Sequence, residues 1–245
     1  MRKRLSSFYA EEMYAEDTSS PSAAVVVPMV VDLIHPSSVL DVGCGRGAWL
    51  SAFSANGIRK IVGLDGDYIK PSTLLIPADR FRSTNLSAKF DTPAEKFDLA
   101  TCLEVAEHLP ERHSKYLVGK LTSAAPVILF SAAPPGQWGG GHINCKPLSY
   151  WRKIFEESGF RTLDPFRPRI RDDRRVAWWY RQNLVMFASP DAIATNAALA
   201  KWEVPVGLES EWVYRWVADA QAGTAVRRLT GRVIRRARKA LRPNS

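Results

Sequence analysis

Two histidines stand where an enzyme could use them. His108 follows the apolar run Phe97–Leu103, and His142 sits in Gly139-Gly140-Gly141-His142-Ile143-Asn144. An imidazole titrates near neutral pH, so either ring can take a proton from an acceptor hydroxyl. A glycine-rich loop can close over an acceptor, which makes His142 the first choice for a general base and His108 the second. Asn144 offers an amide suited to a hydroxyl-rich substrate, while Glu107 reads as a solvated acid. No paired acids flank either histidine at ligand spacing, so no metal site is expected.

A second group of residues suits a ligand rather than a proton. Ser38–Leu50 reads as a buried strand, a glycine turn and a helix opening at Arg46 or Gly47. Gly43 and Gly45 lack a Cβ, so a ligand can approach the bare backbone, and the amides at the helix start point toward it. Asp41 adds a carboxylate. Asp65 ends the next apolar run, where a carboxylate matches the two adjacent hydroxyls of a ribose. Gly66 follows, and Tyr68 can lie against an adenine ring or cover the sheet edge. Glu104, just after strand four, lies on the carboxyl edge where open α/β sheets bind ligands.

The turn fits two nucleotide-like ligands. Gly43-x-Gly45-x-x-Ala48 loosely matches the dinucleotide fingerprint, with Asp65 about 20 residues on. The same stretch fits Asp-x-Gly-x-Gly-x-Gly, the S-adenosylmethionine (SAM) loop of class I methyltransferases. Three features favour SAM: Asp41 is misplaced for a pyrophosphate, an apolar helix precedes strand one as a lid helix would, and the chain is short for a dehydrogenase with a substrate domain.

Val39-Leu40-Asp41-Val42-Gly43-Cys44-Gly45-x-Gly47-x-Trp49-Leu50 resembles motif I of class I methyltransferases. Phe97-Asp98-Leu99 through Leu103-Glu104-Val105-Ala106-Glu107-His108-Leu109 resembles the strand-four motif of the UbiG/UbiE-like branch. With Phe130–Pro134, Gly141–Asn144 and Trp178–Asn183, residues 8–190 are similar to the bacterial "methyltransferase domain 23" type, often encoded among polysaccharide genes. The resemblance implies a seven-stranded, mostly parallel Rossmann-like sheet. It also implies SAM held by Asp41, Gly43, Cys44, Gly45, Gly47, Asp65, Gly66, Tyr68, Asn85, Leu86 and Glu104, with Asn85-Leu86 where the family meets the adenine amine. The expected reaction is methylation of a small-molecule or glycan-like acceptor, at oxygen. Asn144, Tyr150, Trp178, Trp179 and Arg181 are the candidate substrate contacts. An RNA or protein methyltransferase is the alternative, and a non-catalytic SAM-binding or membrane-associated scaffold is a third reading.

The elements that must position these groups follow from patterning. An apolar helix spans Ser22–Ile34, with Pro21 at its start and Pro36 past its end. Strands are expected at Ser38–Val42, Lys60–Leu64, Leu74–Ile76 or Phe81–Arg82, Phe97–Leu103, Pro126–Ser131, from Phe160, and at Asn183–Ala188, this last opened by Trp178–Gln182. Helices fall at Arg46–Asn56, Glu111–Ser123 and Pro147–Ser158, and Pro165–Arg175 reads as a proline-broken connection. Strands alternating with helices give an α/β fold with helices on both faces of a parallel sheet. Residues 1–190 form the domain, with an N-terminal segment (1–21) and a lid helix (22–35), and 191–245 a helical extension.

The net charge of +9 belongs to that extension: Thr224–Ser245 holds eight basic residues and no acid, leaving 26 basic against 25 acidic elsewhere. Apolar residues at three- and four-residue spacing give this run one apolar face, with arginines opposite. It suits an anionic membrane surface through residues 224–242, with packing on a partner subunit as the bland reading and nucleic acid unlikely. No apolar run reaches the roughly 18–20 residues of a membrane-spanning helix. Three scattered cysteines and no signal segment fit a cytoplasmic protein, peripheral at the inner membrane face if the tail binds there.

Overall fold

The computed structural model describes residues 18–204, so the N-terminal segment before Thr18 and the basic tail lie outside the described residues. In chain order the elements are α1 (Ser19–Ile34), β1 (Ser38–Val42), α2 (Ala48–Ala55), β2 (Lys60–Asp65), β3 (Phe81–Ser83), β4 (Leu99–Leu103), α3 (Ser114–Ala124), β5 (Val127–Ser131), α4 (Leu148–Glu157), β6 (Arg161–Leu163), α5 (Arg167–Ile170), α6 (Trp178–Asn183), β7 (Val185–Ala188), α7 (Pro190–Thr195) and α8 (Ala197–Ala200). The strands form one sheet in the order β3-β2-β1-β4-β5-β7-β6. Pairing is parallel from β3 through β5, while β7 runs antiparallel to both β5 and β6. The mixed sheet carries the expected Rossmann-like architecture.

Alternation along each strand divides the core between the two faces. Val39, Ile61, Leu99, Leu129 and Met186 meet α1 and α2, whereas Leu40, Val62, Ala100, Ile128 and Phe187 meet α3 and α4. All five residues of β1, β4 and β5 are buried, as strands covered on both sides must be. Asp98 fastens β1 beside β4: its Oδ2 accepts from the amides of Ser37 (2.8 Å) and Ser38 (3.1 Å) and from both hydroxyls. Its pKa is lowered because these four donors outweigh burial, which acts to raise it.

Two expectations change. The third strand is Phe81–Ser83, and the Leu74–Ile76 stretch is instead a loop docked on the glycine turn, Leu75 N donating to Arg46 O at 2.8 Å. Trp178–Asn183 is a helix and does not open the last strand, which begins at Val185. Aromatic residues favour strands on propensity alone, but packing against the lid helix wins here. Tyr180 Oη meets Ser19 Oγ of α1 (3.3 Å) and Trp49 Nε1 of α2 (3.4 Å), and its ring stands edge-on to Trp49. Helical spacing also puts Tyr180 and Asn183 on one side, which a strand would have split.

Candidate active site

A cleft of about 500 Å³ opens at the carboxyl ends of β1, β4 and β5. From the turn after β1 it is lined by Asp41, Gly43, Cys44 and Gly45, and from the turn after β4 by Glu104, Glu107 and His108. The loop after β5 adds Gln137, Trp138 and His142, and α6 adds Trp178, Trp179 and Tyr180.

The glycine turn needs its glycines. Gly43, Gly45 and Gly47 have φ of +86°, +53° and +86°, the left-handed region that L side chains avoid. A Cβ on Gly43 would also fall 2.2 Å from Val105 Cγ2, so this turn and the one after β4 touch there. The amides of Gly43 and Cys44 both donate to Leu64 O, at 2.7 and 3.1 Å, tying the turn to the end of β2. Asp65 completes the tie: Oδ2 accepts from Gly45 N at 2.6 Å, and Oδ1 from Gly66 N at 2.6 Å and from the Tyr68 hydroxyl. Burial raises the Asp65 pKa against these three donors. Asp41, 2% exposed, accepts a 2.7 Å bond from Thr101 Oγ1 of β4. Burial lifts its pKa to about 7, the Thr101 hydroxyl opposing and the Asp65 charge adding.

On the other side, Glu104 sits at φ +56° and joins three segments. Its Oε2 accepts from Gln137 Nε2 (2.8 Å), its Oε1 from Asn183 Nδ2 (3.0 Å), and its backbone amide donates to Ser131 O (3.0 Å). Gln137 Oε1 in turn accepts from Asn183 Nδ2 at 2.9 Å. Backbone bonds then stitch the His142 loop to the turn after β4: Ile143 N and Asn144 N both donate to Glu107 O at 2.9 Å. The rings of His108 and His142 meet edge to face, centroids 4.8 Å apart. Burial, helped by His142, lowers the His108 pKa to about 4, so this ring is neutral at neutral pH. His142 Nδ1 lies 3.1 Å from Gln137 O, which can only accept, so Nδ1 carries the proton and Nε2 the lone pair. Cys145 Sγ is 3.7 Å from the same nitrogen, but burial and then the Glu107 and Glu104 charges push its thiol up to about 11.

Glu107 is the residue sequence reasoning missed. It is not a solvated acid: it is fully buried and lines the cleft, and neither carboxylate oxygen has a hydrogen-bond partner. Its pKa is raised, first by burial and then by the Glu104 charge. One ligand atom each from Glu107, His108 and His142 lies within 4.8 Å of the others, so the fold assembles a metal-capable group that linear spacing did not suggest. The only local signal was Glu104-x-x-Glu107-His108 after an apolar strand, since the short 3₁₀ turn Ala106–His108 turns Glu107 inward.

Of the sequence-derived candidates, the cleft gathers Asp41, Gly43, Cys44, Gly45, Glu104, His108, His142, Trp178 and Trp179. Gly47 closes the glycine turn, and it, Asp65, Gly66 and Tyr68 do not line the cleft, Tyr68 being engaged with Asp65. Asn85 is exposed in a turn, its Oδ1 accepting from Ser87 N at 3.1 Å, and Leu86 is a core residue. Asn144 is buried outside the cleft, its Nδ2 donating to Ala106 O (3.3 Å) and Ser114 Oγ (3.2 Å), so it anchors the loop and does not face an acceptor. Tyr150 packs edge-on to Trp151, and Arg181 Nη1 donates to Arg171 O at 3.1 Å; neither lines the cleft.

The fold is shared with solved methyltransferases. Residues 14–126, a little under half of the chain, match the family model described as a methyltransferase domain. Among curated proteins the chain is 34% identical over 90 residues to the ubiquinone biosynthesis O-methyltransferase of Glaesserella parasuis, covering 31% of this chain and 36% of that one. It is 33% identical over 85 residues to methyltransferase str2 of Strobilurus tenacellus, covering 34% and 30%. The matches thus span about a third of these relatives' lengths. The magnesium protoporphyrin IX methyltransferase of Synechocystis PCC 6803, solved with bound SAH, shares the fold at a TM-score of 0.52 and 15% identity, over 77% of this chain and all of that one.

Proposed function

We propose that this protein transfers a methyl group from SAM to a hydroxyl oxygen of a small-molecule or glycan-like acceptor, releasing S-adenosylhomocysteine. The observation that carries the reading is the single cleft joining the Asp41–Gly45 turn to the His108–His142 pair. Relatives described as an O-methyltransferase and solved with SAM or SAH support it. SAM lies along the glycine turn, its ribose toward Asp65 and its sulfonium toward the acceptor side. The acceptor oxygen attacks the methyl carbon in line as the C–S bond breaks, so positioning is the main requirement. His142 Nε2, the lone-pair atom of the ring, receives the hydroxyl proton. Trp178 and Trp179 offer aromatic faces for a sugar-like acceptor. The basic run 224–242 draws the enzyme to an anionic membrane surface, giving a cytoplasmic protein at the inner face.

Calorimetric titration of the full chain with SAM and S-adenosylhomocysteine tests the cofactor. Both bind, and Asp65→Ala weakens them by about tenfold or more, as expected for loss of a charged hydrogen-bond acceptor. No binding of either overturns the reading. Labelled methyl transfer into nucleotide-sugar and lipid extracts then identifies the acceptor. Liposome flotation of the full chain against a version ending near Gly223 tests the tail, and equal flotation removes the membrane role.

A further inference from the structure

Asp65 is the acid on which the ribose contact of the proposed cofactor rests, yet it is 4% exposed and does not line the cleft. Tyr68 covers it. The Tyr68 hydroxyl donates to Asp65 Oδ1, and its ring folds back over Gly66. A Cβ on Gly66 would overlap Tyr68 Cε1, so the ring reaches this position only because residue 66 is glycine. We propose that the Tyr68 hydroxyl stands in for a ribose hydroxyl on Asp65, and that SAM binds by exchanging one for the other. The proposal rests on the SAM reading given above and deepens it, because it makes Tyr68 a residue that sets cofactor affinity.

Counting acceptor positions makes the exchange necessary. An ionised carboxylate offers about four, two on each oxygen. Gly45 N takes one on Oδ2, while Gly66 N and the Tyr68 hydroxyl take both on Oδ1, each amide at 2.6 Å. One position is left, on Oδ2. The two adjacent hydroxyls of a ribose need one on each oxygen to bind side by side. Neither amide can withdraw without moving backbone, since Gly45 lies in the glycine turn and Gly66 follows Asp65 directly. The phenol is the one donor of the three on a rotatable side chain. Tyr68 is half-buried in a turn closed by Ile69 N to Gly66 O at 3.3 Å, so a change of its own rotamer releases Oδ1 and leaves the turn in place.

The exchange has a physical use. Before the ribose arrives, a buried carboxylate short of donors is costly, and Tyr68 supplies one. Losing that bond offsets part of what the ribose gains. The cofactor therefore binds less tightly than it would without the hydroxyl, and S-adenosylhomocysteine, which carries the same ribose, leaves sooner.

The test titrates the full chain and its Tyr68→Phe variant by calorimetry with S-adenosylhomocysteine and with the 2′,3′-dideoxy analogue of that ligand. Phenylalanine keeps the ring and removes only the donor. Tyr68→Phe is expected to bind S-adenosylhomocysteine about tenfold tighter, the scale of one hydrogen bond to a charged group. It should bind the dideoxy analogue no tighter than wild type does, because a ligand without the hydroxyls displaces nothing. In wild type, S-adenosylhomocysteine should also shift the near-ultraviolet tyrosine absorbance as the phenol leaves its carboxylate. Unchanged or weaker binding in Tyr68→Phe overturns the exchange, as does an equal gain for the analogue. If that variant does not fold, the wild-type absorbance decides. A shift with S-adenosylhomocysteine and none with the analogue supports the exchange; no shift, or the same shift with both, overturns it. Binding of S-adenosylhomocysteine without these differences sinks only the role of Tyr68, whereas no binding by either protein sinks the SAM reading itself.

Discussion

The glycine turn and the histidine cluster face each other across one cleft, yet they are held by different kinds of bond. The hydrogen bonds of Gly43, Cys44 and Gly45 all run to the end of β2: Gly43 and Cys44 to Leu64 and Gly45 to Asp65, which Gly66 and Tyr68 also engage. Pairing of β1 with β2 therefore supplies most of that half's hydrogen bonds. The cluster has no such local source. Glu104 depends on Gln137 and Asn183, Glu107 on the amides of Ile143 and Asn144, and His108 packs on His142. Three segments must dock before it exists. The turn is a property of contiguous sequence, whereas the cluster is a property of the completed fold.

Gly43→Ala breaks the comparison most severely, because Gly43 is where the halves touch. The substitution puts an alanine at φ +86° and a methyl 2.2 Å from Val105 Cγ2. Left-handed strain costs about 1–2 kcal/mol and overpacking about 1–3 kcal/mol, so a loss of roughly 2–5 kcal/mol is expected in denaturant unfolding. Movement of Val105 should also disturb Glu104 and Glu107, so affinity for S-adenosylhomocysteine and turnover fall together. A variant of unchanged stability would mean that the turn can open away from Val105.

The same division explains what the sequence could disclose. The turn, the parallel character of the sheet and, to within a residue, the bounds of β1, β2 and β5 were legible because local patterning and the alternation of strands with helices dictate them. Glu104 was legible as a carboxyl-edge acid, but its partners Gln137 and Asn183 were not, since nothing local ties positions 33 and 79 residues away. Glu107 looked like a surface acid until the His142 loop was laid over it. Asn144 carried the right chemistry for a hydroxyl-rich ligand, but its amide is used by Ala106 and Ser114. The aromatic run 178–183 misled because strand propensity is weak against the packing of Tyr180 on α1 and α2.

Asp41→Asn probes the seam between the halves, because Asp41 belongs to β1 and its carboxylate is bonded to Thr101 of β4. Around it, the Asp65 charge raises its pKa and the Thr101 hydroxyl lowers it, while its own charge helps hold the Cys44 and Cys102 thiols up. Its folded pKa, about 7, lies above the 3.8 of an ordinary aspartate. The native state therefore holds a proton that the unfolded chain has released, and native stability from this group declines as pH rises from about 4 to about 7. Asparagine has no such proton to lose. Relative to wild type the variant should gain about 2 kcal/mol between pH 5 and pH 8, as an order of magnitude, read by denaturant midpoints at both pH values. A difference independent of pH would mean that Asp41 is ionised throughout, and that the turn presents a full negative charge to its ligand.

Asn144→Ala is the smallest change and the sharpest separation of the two regions. It removes two long hydrogen bonds, 3.3 and 3.2 Å, and leaves Ala106 O and Ser114 Oγ with fewer partners. A cost of about 1 kcal/mol is expected, visible as a modest drop in melting temperature. Its consequence is local: the segment from His142 to Asn144 loses its side-chain anchor, while the backbone bonds to Glu107 O remain. His142 then samples positions farther from His108 and Glu107, so turnover should fall by about tenfold as the reacting groups lose alignment. Affinity for S-adenosylhomocysteine should not change, because no hydrogen bond of the glycine turn passes through this loop. Cofactor affinity that fell as far as turnover would show that the halves are coupled through the cleft, and that the contrast between a turn made by sequence and a cluster made by the fold does not extend to binding.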